Sequence, residues 1–264
     1  MEPGQQGDDK MNEDQTQLAQ DPDCDAEGAI ALQPLAPGRA QPDIPAYLQE
    51  TYWWAYLHEN SFWFFEREWV VNLILWGNMR RLTDHVLEET RLAPRSRALQ
   101  VACVYGNFSS RMADRLAQSG SRLDLVDVAS IQLHNARRKL SQHRNIAYQH
   151  QDSTDLHYPD ATFDQSVLFF LLHEQPEAVR RKTISEAIRV TRPGGKVIFV
   201  DYHRPRRSHP LRYVMKPVLH WLEPFAMDLW RSELTEFLPP ETRPEQVRSE
   251  FYFGGLYQKV VLIR

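Results

Sequence analysis

From Arg97 to the C-terminus, apolar runs of strand type alternate with amphipathic helical segments, and this alternation constrains the fold more than any other feature. ALQVACV (98–104) reads as a short buried strand, Gly106-Asn107 as a turn, and 108–118 as a helix that Gly120 stops. LDLVDV (123–128) is a second strand, followed by a helix over 130–142 with Ser130 as its N-cap. IAYQHQ (146–151) and FDQSVLFFLL (163–172) are the third and fourth. Pro176 opens a helix to Val190, at a position where its missing N–H is no loss. Pro193-Gly194-Gly195 turns into a fifth strand, KVIFVDY (196–202), and FYFGGLYQKVVLIR reads as a hairpin around Gly254-Gly255. Such βαβ units predict an α/β fold: a doubly wound, mostly parallel sheet with a C-terminal hairpin over 95–264.

The segments ahead of that core differ in composition. Residues 1–42 hold nine acidic and two basic groups, a local charge of −7 in a chain of net charge −4. With little apolar surface to offset ordering entropy, 1–44 is expected to be a disordered acidic tail. It resembles neither a secretory signal nor an Arg-rich transit peptide. Residues 45–94 form an aromatic helical segment. Five of the seven tryptophans lie between Tyr47 and Trp76, in two helices broken near Asn60-Ser61. Trp53, Tyr56 and Leu57, and Phe62, Phe65, Trp69, Leu73 and Trp76, follow helical spacing. The stripe is either a cap packed on the core or a lipophilic pocket and membrane-surface patch. The mild net charge argues against a nucleic-acid binder. Two cysteines, Cys24 and Cys103, are too few for a disulfide framework, and a reducing cytoplasm fits. No apolar run reaches the roughly 18–20 residues of a spanning helix.

An α/β core that ends in such a hairpin resembles the class I methyltransferases. LLHEQPEAVRRKTISEAIRVTRPGGKVIFVDYHRP (171–205) is similar to the corresponding stretch of the quinone-biosynthesis C-methyltransferases, and Gly106-Asn107-Phe108-Ser109 resembles the end of their glycine-rich first motif. That motif is otherwise altered. The acidic position is Gln100, the first two glycine positions are Ala102 and Val104, and only Gly106 remains. Val104 and Tyr105 add bulk where the backbone approaches the methionine side of S-adenosylmethionine in that family, so the cofactor sits differently or the site is inactive. VACVYGNFS, together with PAYLQETYWWAYLH (45–58) and FEREWVVNLILWGN (65–78), resembles the rhodoquinone-biosynthesis proteins over about 45–264. The resemblance implies that S-adenosylmethionine donates an amino group, with manganese (Mn2+), in exchange for a ring methoxy group of ubiquinone.

The residues that could carry such chemistry stand at strand ends. Asp127, closing the second strand, either accepts the cofactor ribose hydroxyls, holds the metal, or caps a helix. Asp152 sits where the superfamily contacts adenine, with Ser153 beside it; the alternative is a turn. Ala102, Val104, Tyr105 and Gly106 complete the cofactor wall. Tyr105 is also a catalytic candidate, through its hydroxyl or its ring against a sulfonium. Cys103 reads as a small core residue. His173-Glu174 follow the fourth strand and Asp201-Tyr202-His203 the fifth, so His173 is a catalytic candidate, and Asp127, Asp201 and His173 are candidate metal ligands.

RPRRSHPLR (204–212) is a basic loop ahead of an apolar stretch, 213–230. It reads as a solvated charge run beside a packed helix, or as an element at a membrane surface. The expected partners are ubiquinone and membrane lipid, at the inner face of the cytoplasmic membrane. An ordinary quinone or small-aromatic methyltransferase, and an inactive fold that binds lipid or a biosynthetic partner, are the competing functions.

Overall fold

The computed structural model describes residues 42–52, 65–90 and 92–264. The acidic tail up to residue 41 and the aromatic run from Trp53 to Phe64 lie outside the described residues. Strands β1 (Arg97–Val101), β2 (Arg122–Asp127), β3 (Ile146–His150), β4 (Phe163–Phe169) and β5 (Thr191–Tyr202) pair in parallel. The expected hairpin is present as β6 (Gln246–Tyr252) and β7 (Tyr257–Ile263), antiparallel to each other, with β7 antiparallel to β5. The seven strands form one sheet in the order β3-β2-β1-β4-β5-β7-β6. The order reverses between β1 and β4, which opens a crevice at their carboxyl ends.

Adjacent residues of each strand feed opposite faces, so each face has its own core. Ala98, Val167, Ile198 and Val261 face α3 (Met79–Glu89), α4 (Phe108–Ala117) and α7 (Leu211–Leu222), with Met79, Leu82, Phe108, Met112 and Met215 in the same core. Leu99, Leu168, Phe199 and Leu262 face α6 (Glu177–Val190) through Ile184 and Ala187, and the same core takes in Leu229 of α8 (Ala226–Arg231). Leu125 and Tyr148 carry α5 (Ser130–Lys139) through Leu133 and Ala136.

Several boundaries differ from the sequence reading, each for a local reason. β1 stops at Val101, three residues early, because Ala102 turns into the left-handed region at φ +72°. β5 begins at Thr191 rather than after the Pro-Gly-Gly turn, with Arg264 hydrogen-bonded to Gly194 and Gly195. Ala129, not Ser130, is the cap of α5, and the Asp127 carboxylate accepts its N–H. The stretch 213–230 is two helices, α7 and α8, parted at Glu223-Pro224. The aromatic segment contributes α1 (Ala46–Thr51) and α2 (Glu68–Ile74). In α2 and the turn after it, Val70 and Leu75 are buried, whereas Trp69, Leu73 and Trp76 face outward, so the helical stripe is not the core-facing side. Among the described residues no helix is long and apolar enough to cross a membrane.

Candidate active site

The carboxyl ends of β1, β2, β4 and β5 border a cavity of about 520 Å³. One wall is the altered turn after β1. Ala102, Cys103, Val104 and Tyr105 line it, and Ala102 takes the positive φ that a glycine adopts more easily. Gln100, buried beneath, donates its amide to the Ala102 carbonyl and to Ser109 Oγ, 2.9 Å each, and so braces the turn. Gly106 does not line the cavity; it lies behind the wall at φ +80°, against Met79 and Val71. Its glycine character serves the turn that sets the wall.

Asp127 ties the first two strands together. One carboxylate oxygen accepts the Cys103 N–H at 2.7 Å and the other the Ala129 N–H at 2.8 Å. Burial raises its pKa, and these N–H donors pull the other way. Each oxygen keeps a lone pair beyond those bonds, which suits a diol. Burial likewise raises the Cys103 thiol, reinforced by Asp127, so this cysteine stays protonated. Tyr105 accepts a hydrogen bond from Gln132 Nε2 at 2.9 Å and stacks on Phe65, 5.6 Å between ring centres. Burial raises its phenol pKa too, so Tyr105 is a neutral donor at the cavity wall. Asp152 shapes the turn after β3: one carboxylate oxygen accepts the Thr154 N–H at 2.8 Å, and its neighbours Gln151 and Ser153 line the cavity.

The facing wall holds a buried charge cluster. After β4, Phe170 sits at φ +54°, and the turn of Leu172–Glu174 brings His173 inward. His173 Nδ1 lies 2.9 Å from Asp201 Oδ1, and Nε2 faces Glu174 at 3.8 Å and Glu223 at 4.0 Å. Burial, the largest influence, lowers the imidazole pKa; Asp201, Glu223 and Glu174 together outweigh it and raise it to about 9. Burial raises the Glu223 carboxyl, against the pull of His173 and a hydrogen bond from Tyr52. The rings of Phe170 and Tyr202 stand edge-on to His173 at 6.0 and 4.9 Å.

Asp201 has no capacity for a metal. It accepts backbone N–H groups from Leu172 (2.9 Å), His173 (3.2 Å) and Tyr202 (2.7 Å) besides facing the imidazole. Asp127 accepts two backbone N–H groups in the wall between β1 and β2, and among the described residues no group of three His, Cys, Asp or Glu side chains could hold a metal ion. The predicted ligand set of Asp127, Asp201 and His173 is therefore corrected: Asp201 orients His173 instead. His203 turns away, with Nδ1 2.9 Å from the Gly255 carbonyl oxygen.

Sequence reasoning missed Glu223, Gln132 and Gln175, and placed Tyr47 and Tyr52 only within the aromatic segment; Tyr47, Gln132, Gln175 and Glu223 line the cavity, and Tyr52 bonds Glu223. Glu223 stands just past α7, and only packing brings it to the end of β4. Arg180 was missed as well. It is fully buried in α6 and donates to the carbonyls of Leu172, Gln175 and Phe225, 2.8–2.9 Å, which fixes the His173 turn. Its one sequence signal is a register one turn ahead of Ile184 on the apolar face of that helix.

Residues 98–195 match the family described as a methyltransferase domain. A solved N-methyltransferase, NodS from Bradyrhizobium japonicum WM9, superposes with a TM-score of 0.51 over 69% of this chain and 94% of that one, at 15% identity. A protein from Pyrococcus horikoshii OT3 superposes at 0.53 over 72% and 91%, at 16% identity. The fold is that of a class I methyltransferase. In sequence, this methyltransferase-fold chain is 31% identical to a demethylmenaquinone methyltransferase of Clavibacter sepedonicus, over 41% of this chain and 42% of that protein. It is 29% identical to the ubiquinone/menaquinone biosynthesis C-methyltransferase UbiE of Rickettsia akari, over 43% and 47%. It thus spans about half the length of the curated relatives it matches.

Proposed function

We propose that this chain exchanges a ring methoxy group of ubiquinone for an amino group donated by S-adenosylmethionine, forming rhodoquinone. One observation carries the reading: a single cavity joins the cofactor wall of β1 and β2 to an apolar mouth, past the buried His173–Glu223 pair. The relatives act, by name, on menaquinone or ubiquinone precursors, which supports a quinone as the ring. The altered turn around Tyr105 and the resemblance of its sequence support amino rather than methyl transfer.

Asp127, Ser153 and the wall of Ala102, Cys103, Val104 and Tyr105 would hold S-adenosylmethionine, which when bound supplies the amine. Glu223, with its carboxyl raised by burial, takes a proton from the ammonium and leaves a nucleophilic amine. His173, cationic at neutral pH and oriented by Asp201, donates to the quinone oxygen that gains charge as the amine adds. A carbon–nitrogen bond forms at the methoxy-bearing carbon, the carbon–oxygen bond breaks, and methoxide leaves as methanol with a proton. The donor's Cα–N bond then breaks by elimination: a base takes a Cβ proton, the Cα–N electron pair leaves with the quinone nitrogen, which takes up a proton, and the donor departs as an α,β-unsaturated carboxylate that keeps its sulfonium. The described donors do not fit a manganese ion, and no step is assigned to it.

Incubation with ubiquinone and amine-15N-labelled S-adenosylmethionine, with and without manganese, followed by mass analysis of the quinone, tests this. Labelled nitrogen in the quinone is expected. S-adenosylhomocysteine in amounts equal to a methylated quinone would establish methyl transfer instead. Neither product, together with no heat on cofactor titration, would leave a binding fold.

A further inference from the structure

The mouth of the cavity opens through an exposed apolar surface contributed by two helices distant in sequence. Leu73, Ile74 and Trp76 from α2 and its turn, and Val218 and Leu222 from α7, both line the cavity and stand exposed to solvent, with Leu73 at 67%. Contiguous exposure of large apolar groups marks an interaction surface. The two sides are latched. Trp76 is held at φ +51°, a strained conformation for a bulky residue, and its indole N–H donates to Met215 Sδ at 3.3 Å.

Charge identifies the occupant. Residues 204–216, leading into α7 and through its first turns, contain Arg204, Arg206, Arg207, Arg212 and Lys216 and no carboxylate, in a chain whose net charge is −4. Among the described residues no carboxylate pairs with Arg204, Arg206, Arg207 or Lys216. Tryptophans at the rim, cations flanking them and apolar side chains between are the composition of a surface that lies in a lipid headgroup layer.

We infer that the α2–α7 face docks on an anionic bilayer and turns the cavity mouth toward the acyl chains, so that a prenyl-tailed substrate enters from the membrane without crossing water. The inference deepens the function proposed above, since a long-tailed quinone resides in a bilayer. A second copy of the chain is the competing occupant, and it would cover the mouth rather than feed it.

The test uses the full chain with sedimented vesicles of phosphatidylcholine alone or mixed with phosphatidylglycerol, with no quinone or S-adenosylmethionine present. Binding to the mixed vesicles is expected, weaker on phosphatidylcholine alone and weaker at high salt. The changes Trp69→Ser, Tyr213→Ser and Trp221→Ser remove side chains that are 58%, 71% and 83% exposed and do not line the cavity. Together they are expected to weaken vesicle partition by roughly tenfold or more while the thermal midpoint stays put. Arg206→Gln with Arg207→Gln should erase the preference for anionic lipid. Equal partition of wild type and the triple variant overturns the inference. So does a dimer in ultracentrifugation that the triple variant abolishes. Absence of vesicle binding by the wild-type chain, with aminoquinone formation intact, would sink this inference alone; wild-type vesicle binding without a nitrogen-labelled product would sink only the reaction.

Discussion

The state of His173 decides how the proposed chemistry runs, and Asp201→Asn tests it. The imidazole pKa stands at about 9, against an ordinary 6.5. At about 1.4 kcal/mol for each tenfold change in proton affinity, that difference contributes about 3 kcal/mol to folding. Because the folded pKa is the higher one, the contribution is fully present below pH 6.5 and disappears as pH rises through 9. Asp201→Asn keeps the shape but removes the strongest partner that raises the imidazole, leaving only Glu223 and Glu174 against the larger pull of burial, so the imidazole pKa falls. The amide NH2 must also face two of the N–H groups that the carboxylate accepted. Two lost charge-assisted bonds cost about 3 kcal/mol or more at any pH. Urea unfolding at pH 6 and pH 10 should therefore show a stability gap between wild type and variant that narrows by about 3 kcal/mol at the higher pH. Imidazole NMR should place the wild-type midpoint near 9. A constant gap, with the wild-type imidazole titrating below 6.5, would refute the reasoning and make His173 a neutral base rather than a cationic donor.

Asp127→Asn, with one of its two backbone contacts turned unfavourable, should weaken S-adenosylmethionine binding by about tenfold or more in calorimetry. Tyr105→Phe removes the hydroxyl that meets Gln132 and should lower kcat strongly at an unchanged thermal midpoint. Ala102→Gly relieves a left-handed alanine and should raise unfolding free energy by about 0.5–1 kcal/mol in urea. The same change combined with Val104→Gly and Tyr105→Gly restores the usual glycine pattern and should not improve aminoquinone formation. Arg180→Met leaves two buried carbonyls and a part-buried one without their donor and should cost about 3 kcal/mol or more, read as a lower urea midpoint.

The α/β class, the five parallel strands and the closing hairpin were legible in the sequence, because each is written in local periodicity and turn chemistry. So were the places of Asp127 and His173 at or just past strand ends, which follow from the same periodicity once the fold is known. Boundaries failed where backbone conformation overrode pattern: ALQVACV looks like strand through Val104, but the chain turns at Ala102, a residue whose type gives no signal for φ +72°. The direction of the aromatic stripe was illegible as well. Spacing shows that Trp69, Leu73 and Trp76 share a side of α2, not whether that side meets core or solvent. Tertiary structure alone decided the roles of the charged groups. Asp201 is a metal ligand by composition and an orienting acceptor by position, because three backbone N–H groups converge on it. Glu223 had no signal at all: it stands some fifty residues from His173, and the packing of α7 over the end of β4 sets them 4.0 Å apart. Local patterns determine which elements form; which side chains share a buried site is a property of long-range packing, which no window of sequence contains.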